Sequence, residues 1–247
     1  MTETVIGMSQ SRYKLLGISP MRLLATLLIL LAIAPTARAA RPMVTDDARL
    51  TDGGACQLES WLHLHGSQHE LWALPACNPG GNLELTMGGA LAYNDSHQET
   101  GAAVIQLKSL FKPLETNGYG IGLSVGYAAQ PGSSHDANPY FYVPVSFSLA
   151  DDRVVIHTNL GVTRERENRE NRMTWGLGSE IQMSERTYLI AESYGQDKGN
   201  PYFQLGIRHW IVPNRIQIDT TYGSRVDAIS EQHWFSIGLR LISPTLF

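Results

Sequence analysis

The sequence predicts an all-β fold, a transmembrane up-and-down antiparallel β-barrel of about twelve strands. Three observations predict it. Apolar residues recur at every second position over segments of about nine to twelve residues, the length of a tilted membrane strand. The connections between these segments alternate between short turns and long polar loops, and aromatic side chains gather at both ends of the apolar face.

The N-terminal region predicts a secretory signal peptide. Met21-Arg22 supplies positive charge, residues 23–34 form an apolar run, and Ala37-Arg38-Ala39 supplies a small-residue cleavage site. The run is shorter than the roughly 20 residues that a membrane-spanning helix needs. We therefore expect residues 1–39 to be removed after export, with Met21 as an alternative start.

The composition of the rest of the chain fits one membrane-embedded β-domain. The net charge of −4 comes without a basic block, which disfavours nucleic-acid binding. Charged residues make up 17% of the 247 residues and the mean hydropathy is −0.14, so the chain is too apolar for disorder. We expect residues 40–55 to form a periplasmic N-terminal segment and residues 56–247 to form the barrel.

The strands are predicted by alternation between apolar residues and polar or small ones. In one segment, for example, Tyr119, Ile121 and Val125 alternate with Gly120 and Gly122. The clear segments are residues 82–93, 119–127, 140–149, 154–162, 175–182, 202–211, 216–222 and 234–241. Weaker segments complete the set at Cys56–His65, Gln68–Cys77, Gly101–Phe111 and Thr187–Tyr194.

The connections and the aromatic residues predict how the barrel lies in the membrane. Short connections fall at Asp151-Asp152, Ser184-Glu185 and Pro213-Asn214-Arg215, and long polar ones at Asn94–Thr100, Gln130–Asn138, Arg164–Arg172, Gly195–Asn200 and Ser224–Gln232. Outer-membrane barrels have short periplasmic turns and longer outer loops, whereas a soluble sandwich or lipocalin-like barrel does not sort its loops in this way. With the first strand running outward, aromatic residues near the outer ends are Tyr93, Tyr127, Phe141, Trp175, Phe203, Tyr222 and Phe235, and those near the inner ends are Phe111, Tyr119, Phe147 and Phe247.

The two cysteines of the chain predict a disulfide. Gly66-Ser67 is typical of a two-residue type II′ turn, and counting back from this turn along both strands places Cys56 opposite Cys77. In an exported protein such a pair is expected to form a structural disulfide. The same register predicts two further cross-strand pairs on the polar face: Trp61 with Trp72, and His63 with Glu70.

The polar face of the strands supplies candidate lumen-lining residues. They are the ionisable residues Glu84, Lys108, His157, Glu180, Glu192, Arg208, Asp219 and Arg240, together with Tyr140, Tyr142 and Trp234. The charged side chains could pair across the lumen or select what passes, and the aromatic ones could line a path or fill space. If residues 40–55 enter the lumen, we expect Asp46 and Asp47 to meet Arg208 or Arg240.

No catalytic, cofactor-binding or metal-binding residue is predicted. His157-Thr158-Asn159 is similar to part of the His/Ser/Asn set of outer-membrane phospholipases, but a serine is missing from the expected neighbourhood and His157 faces the lumen. His63, His65 and His69 cluster at a hairpin tip, without a carboxylate or cysteine at metal-ligand spacing.

The C-terminal residue predicts a signal for the outer-membrane assembly machinery. Phe247 is spaced in register with the apolar face of the last strand. Pro244 interrupts the pattern and is expected to lie at the barrel rim or on an edge.

The start of the mature chain resembles a known family. The sequence Arg41-Pro42-Met43-Val44-Thr45-Asp46-Asp47-Ala48, followed by Cys56-Gln57-Leu58-Glu59, is similar to the start of outer-membrane "transporter" proteins of the meta-pathway phenol-degradation family. The segments Ala191–Gly195 and Leu205–Trp210 look similar too. The resemblance implies an outer-membrane barrel that acts as a channel for hydrophobic or aromatic compounds.

These observations together predict a porin-like channel for small solutes in the outer membrane of a Gram-negative-type bacterium. The expected partners are the lipid bilayer, the assembly machinery and a small-molecule solute. Two alternatives stay open at this stage, an outer-membrane enzyme that modifies lipid and a structural barrel with a closed lumen.

Overall fold

Strand pairing, rather than any helix, organises the described part of the chain. The computed structural model describes residues 43–66, 68–94, 98–99, 101–129, 137–166, 169–229 and 231–247. The predicted signal peptide, with the alternative start at Met21, lies outside these residues. In the described part of the chain, no helix has the length and hydropathy of a membrane span. The strands are β1 Cys56–His65, β2 Gln68–Cys77, β3 Glu84–Asn94, β4 Gln98–Glu99, β5 Ala103–Lys112, β6 Tyr119–Ala129, β7 Asn138–Leu149, β8 Val154–Glu165, β9 Glu170–Gln182, β10 Thr187–Gln196, β11 Tyr202–Val212, β12 Ile216–Arg225 and β13 His233–Ile242.

Twelve of these strands close into an antiparallel barrel, as the sequence predicted. Each pairs with its neighbours along the chain, and β1 pairs with β13 to close the sheet, for example at Leu58 opposite Leu241. The two-residue β4 only extends β3 and is not part of the wall. Because the number of wall strands is even, β1 begins on the side where β13 ends, and there the amide of Leu246 donates to the carbonyl of Gly54 at 2.7 Å.

The barrel has an apolar outside and a polar inside. On β11, Leu205 and Ile207 are 52% and 54% exposed, whereas Gln204 and Arg208 are 5% and 0% exposed. Successive side chains of a strand point to opposite faces, so the alternation in sequence becomes a difference between the two surfaces. An apolar exterior on a closed barrel is stable only in lipid, which places this barrel in the outer membrane.

Aromatic side chains border the apolar exterior at both ends. Tyr119 and Phe147 lie opposite each other at the inner end of the β6–β7 pair, and both are exposed. Tyr222 and Phe235 form the corresponding exposed pair at the outer end of β12 and β13. These are the two girdles expected at the lipid–water interfaces.

The first hairpin has the predicted register and disulfide. Cys56 lies opposite Cys77, their Cα atoms are 4.0 Å apart, and the two sulfur atoms are bonded. Gly66 has a φ of 53°, which suits a glycine in a tight hairpin turn, and Ser67 lies outside the described residues. The cross-strand pair of Trp61 and Trp72 is stacked, with ring centroids 5.3 Å apart.

One prediction about strand ends was wrong. The polar block Arg164–Arg172 is mostly strand rather than loop, because β8 runs to Glu165 and β9 begins at Glu170. Ion pairs of Arg172 with both glutamates, at 3.5 Å and 2.7 Å, favour this extension.

The last strand, β13, ends at Ile242, which leaves Pro244 beyond the strand. Pro244 has no amide hydrogen to donate and restricts the residue before it, so the strand cannot continue through this point. Phe247 is exposed beyond the strand, and its predicted role as an assembly signal stays a prediction.

Candidate functional site

The N-terminal segment, residues 43–55, lies inside the barrel. Met43, Thr45 and Ala48 are buried, and so are Asp46 and Asp47. A segment in a lumen has no neighbouring strand to satisfy its backbone, so each buried amide needs another acceptor. The inward-facing polar side chains of the wall supply these acceptors.

Two wall residues bind the first part of the N-terminal segment. The Glu192 carboxylate accepts from the amides of Val44 at 2.8 Å and Thr45 at 2.7 Å. Asn159 makes a reciprocal pair with Asp46: its Oδ1 accepts from the Asp46 amide at 2.7 Å, and its Nδ2 donates to the Asp46 carbonyl at 2.8 Å. A carboxylate and an amide on β10 and β8 therefore replace the missing strand partner.

The second part of the segment is held on β7 and β3. The amide of Ala48 donates to Ser146 Oγ at 2.8 Å, and the amide of Thr51 donates to Glu84 Oε2 at 2.8 Å. The side chain of Asn78, between β2 and β3, donates to the carbonyl of Thr51 at 2.6 Å. Contacts to four wall strands fix the path of the segment across the lumen.

Two glycines of β9 make room for the segment. A Cβ atom on Gly176 would lie 2.5 Å from Thr45 Oγ1, and one on Gly178 would lie 2.2 Å from the Met43 side chain. Any larger residue at these inward-facing positions would therefore collide with the segment. The wall and the segment have complementary shapes at this point.

Lys108 carries the charge that balances the aspartates of the segment. Its Nζ lies 2.9 Å from Asp46 Oδ1 and 3.3 Å from Asp47 Oδ1, and it is buried. Tyr142 donates to the other oxygen of Asp46 at 2.6 Å. Arg49 lies 3.9 Å from Asp47. The sequence predicted Arg208 or Arg240 as the partner of these aspartates, whereas Lys108 is the cation in direct contact with both.

Arg208 and Arg240 instead pair with carboxylates of the wall. Arg208 lies 3.0 Å from Glu180 and 3.9 Å from Asp219, and Arg240 lies 3.6 Å from Glu59. Lys108 projects from β5, the part of the wall that faces the two aspartates. The sequence alone did not reveal which strand the aspartates would face. Both arginines are 1% exposed or less, so the inner half of the lumen is packed with paired side chains.

The serine that the sequence analysis judged missing is present beside His157. Ser146 Oγ and His157 Nδ1 share a hydrogen bond of 2.8 Å, and His157 Nε2 lies 3.1 Å from Glu180 Oε1. Ser146 faces His157 across the β7–β8 pair, and the tight turn at Asp151-Asp152 sets this register. Counting back from that turn would have found the serine, as counting from Gly66-Ser67 found the cysteine pair.

Above the N-terminal segment, toward the outer loops, lies an open cavity that we call the vestibule. It has a volume of about 420 Å³, and Asp46, Asp47 and Arg49 form its floor. Aromatic side chains form much of its wall: Trp61, Trp72, Tyr140, Tyr142, Tyr194 and Trp234. His63 and Glu70 of the first hairpin, 3.8 Å apart, also border it.

Comparison with protein families shows which family the chain belongs to. The family described as "Uncharacterised conserved protein UCP029691" matches residues 27–242. The chain belongs to this family. A comparison with curated protein sequences finds no match. The resemblance to the phenol-degradation family stays a prediction.

Solved structures show which fold this UCP029691 family member shares. A KdgM porin superposes with a TM-score of 0.58 at 9% identity, over 75% of this chain and 98% of that one. KdgM porin in complex with disordered oligogalacturonate gives a TM-score of 0.59 at 10% identity, with the same coverage. NanC porin gives 0.55 at 8% identity, over 76% of this chain and 98% of that one. At these identities the likeness shows the barrel fold.

In this family member all the predicted lumen residues lie on the inner face. Glu84, Lys108 and Trp234 border the vestibule and are buried, and Tyr140 and Tyr142 border it while partly exposed. Buried deeper or along the segment are His157, Glu180, Glu192, Arg208, Asp219 and Arg240. The sequence analysis missed Ser146 and Asn159, although both follow the same alternation.

Among the described residues, no cluster of three or more histidine, cysteine, aspartate or glutamate side chains is arranged to hold a metal ion. Of the histidines of the first hairpin, His63 lies against Trp234 edge to face, with ring centroids 5.4 Å apart.

Proposed function

We propose that this protein is an outer-membrane channel for small solutes, with a lumen that the N-terminal segment narrows from inside. The observation that carries the proposal is the vestibule, a cavity open toward the outer side and floored by residues 46–49. A cavity of about 420 Å³ lies within the range of small-molecule binding sites. The shared fold with the KdgM and NanC porins is consistent with this role.

The walls of the vestibule favour solutes with an aromatic or apolar part. Trp61 and Trp72 present a stacked pair of rings, and Tyr140 and Tyr142 present another, with centroids 6.1 Å apart. Such flat surfaces bind planar solutes by stacking and by releasing water. The resemblance to the phenol-degradation family implies the same class of solute.

Passage through the barrel requires the N-terminal segment to move. Below the vestibule, the side chains of His157, Arg208, Arg240 and Gln217 are 0–1% exposed, so this part of the lumen is narrow and filled by side chains. The segment is held by hydrogen bonds and ion pairs rather than by strand pairing, and these can be exchanged for contacts with water. A solute, a partner or a voltage that displaces the segment would open the lumen.

Single-channel recording in planar bilayers tests this proposal. The mature protein is compared with a variant that lacks residues 43–51, after both are shown to be folded by heat-modifiable migration in detergent gels. We expect brief or rare openings for the intact protein and long, stepwise currents for the variant. Silence of the folded variant under all voltages and solutes would contradict the channel.

The Ser146–His157–Glu180 contacts favour a second candidate function, hydrolysis of an ester. A serine that donates to a histidine, itself oriented by a carboxylate, is the arrangement of a nucleophilic hydrolase. Against this function, Ser146 and His157 are buried and the Ser146 hydroxyl already accepts the Ala48 amide. Ester hydrolysis by the variant lacking residues 43–51, abolished by Ser146→Ala, would establish this second function, and no hydrolysis would exclude it.

A further inference from the structure

We infer that the vestibule binds small organic cations that carry an aromatic or quaternary ammonium group. The inference rests on the proposed channel function and names its class of solute. Three features of the vestibule carry it: the aromatic walls, the balance of charges on its lining and a buried carboxylate oxygen without a hydrogen bond.

The aromatic walls supply faces that attract cations. The faces of tryptophan and tyrosine rings carry negative electrostatic potential, and a cation close to several of them is bound more strongly than it would be in water. Trp61 and Trp72 stack with an interplanar angle of 4° and ring centroids 5.3 Å apart, so each covers one face of the other and the two outer faces remain to attract a cation. Trp234 lies on β13, the neighbour of β1, and its ring centroid is 6.0 Å from that of Tyr202.

The charges on the lining are predominantly negative. The described carboxylates that border the vestibule are Asp46, Asp47, Glu59, Glu70 and Glu84, whereas its cationic side chains are Arg49 and Lys108. Both cations are already engaged, Lys108 by the two aspartates and Arg49 at 3.9 Å from Glu180. Arg240 lies 3.6 Å from Glu59, and when it is counted as well, three cations stand against five carboxylates. A cleft with an excess of one charge sign and low-dielectric walls concentrates ions of the opposite sign. The vestibule therefore favours cations and disfavours anions.

One carboxylate oxygen on the floor points to a ligand. Asp47 is buried, and its Oδ2 accepts no hydrogen bond from the described residues. Nη1 of Arg49 lies 3.9 Å from this oxygen, beyond hydrogen-bonding distance. A buried carboxylate oxygen without a donor is costly, and a cation bound in the vestibule above it would offset part of that cost through its charge, without donating a hydrogen bond.

Glu70 provides a second carboxylate at the mouth of the vestibule. Its side chain is 30% exposed, and its Oε2 accepts from Trp72 Nε1 at 2.9 Å. The hydrogen bond fixes the carboxylate beside the Trp61–Trp72 wall. A cation entering from outside would meet Glu70 first and Asp47 at the floor.

Binding of a matched cation and anion tests the inference. Benzyltrimethylammonium and benzenesulfonate have a similar ring and opposite charges. Each is titrated against the folded full-length mature protein in detergent, and tryptophan fluorescence is followed, because Trp61, Trp72 and Trp234 border the vestibule. We expect saturable binding of the cation and none of the anion. Equal binding of both, or binding of the anion alone, would overturn the inference.

Two substitutions locate the binding site. Glu70→Gln removes the charge and keeps an acceptor for Trp72, and we expect it to weaken cation binding about fivefold. Trp61→Leu removes one ring of the stacked pair and is expected to weaken binding by a similar factor. Glu185→Gln, on an exposed inner turn, serves as the matched control and leaves the affinity unchanged. Unchanged affinity in both vestibule variants would overturn the inference.

The binding assay separates this inference from the channel proposal. Because fluorescence is read on the intact protein, it does not depend on conduction. If the intact protein binds the cation but the variant lacking residues 43–51 carries no current, the site is supported and the channel is contradicted. If that variant carries current but the intact protein does not bind the cation, the site is overturned and the channel stays in place.

Discussion

Lys108 illustrates how much a single inward side chain contributes to the interior. It projects from β5 onto Asp46 and Asp47, and burial keeps water from solvating any of the three charges. Loss of one member of such a cluster leaves the other charges buried and uncompensated, which lowers the free energy of unfolding by about 3 kcal/mol or more.

We therefore expect Lys108→Met to release the N-terminal segment from the wall. Amide hydrogen exchange at residues 44–51 should become faster, and trypsin should cleave after Arg49, while the barrel stays folded. Lys112→Met is the matched control, because Lys112 lies at the rim of the same strand and pairs with Glu115 in an exposed position. Protection of residues 44–51 in Lys108→Met equal to that of the control would contradict the role of Lys108.

At the residue scale, the sequence predicts which face a side chain occupies but not which partner it meets. Alternation assigned Glu192 and Lys108 to the lumen because period two is a local property of a strand. Their contacts with the N-terminal segment join residues far apart in sequence, 148 positions for Val44 and Glu192. The segment has no period of its own, so nothing in the sequence set its path across the lumen.

The first hairpin is an element whose stability depends on its covalent link. β1 is where the sheet closes, since it pairs with both β2 and β13. The disulfide joins residues separated by 21 positions at the inner end of this hairpin, and such a link contributes about 3 kcal/mol. Cys56 also bonds to the chain after β13, because its carbonyl accepts from the Ser243 amide at 2.8 Å.

Reduction, or a Cys56→Ser/Cys77→Ser double variant, should therefore lower the unfolding temperature of the barrel. The loss of the fast-migrating folded band on heating in detergent gels measures this temperature. Reductant should not change the unfolding temperature of the double variant, and this control shows that the reductant acts only through the disulfide. Equal unfolding temperatures for oxidised and reduced protein would show that the hairpin does not limit stability.

Strand β9 provides a steric test of the docked segment. Gly176→Ala places a methyl group 2.5 Å from Thr45 Oγ1, so either the segment or the strand must shift. We expect the segment to give way, because β9 is bonded to neighbours on both sides, and trypsin cleavage after Arg49 should become faster.

Gly195→Ala on β10 is the control for this prediction, since the atoms nearest to its added methyl group lie 3.4 Å away. Cleavage at the same rate in both variants would place the segment elsewhere in solution. The sequence showed that these glycines are small inward residues, but not what occupies the space they leave.

On the scale of the whole molecule, the lumen has an excess of negative charge. Without residues 43–51, the named inward carboxylates are Glu59, Glu70, Glu84, Glu180, Glu192 and Asp219, and the named inward cations are Lys108, Arg208 and Arg240. We expect the variant lacking residues 43–51 to pass potassium in preference to chloride.

The reversal potential under a potassium chloride gradient measures this preference. Its sign should be that of a cation-selective pore, and it should shift toward zero in Glu59→Gln. Glu185→Gln, outside the lumen, is the control. A reversal potential of the opposite sign would show that the three inward cations, rather than the carboxylates, control permeation.

The fold as a whole could be predicted because lipid imposes one simple requirement on every strand of the wall. Each outward position must be apolar, so all strands carry the same signal, and twelve were counted correctly from it. The interior carries no such uniform requirement. Its charges are matched pair by pair, as between Arg208 and Glu180, and the three-dimensional arrangement decides each match.

The hydrogen bonds between the residues before β1 and those after β13 have a consequence for how the barrel opens. Gly54, with a φ of 78°, accepts hydrogen bonds from the amides of Leu246 and Phe247, at 2.7 Å and 3.3 Å. These bonds tie two tails together beside the seam at which β1 and β13 close the sheet. We therefore expect the two tails to detach together, so that fraying of this rim begins as one cooperative step rather than strand by strand.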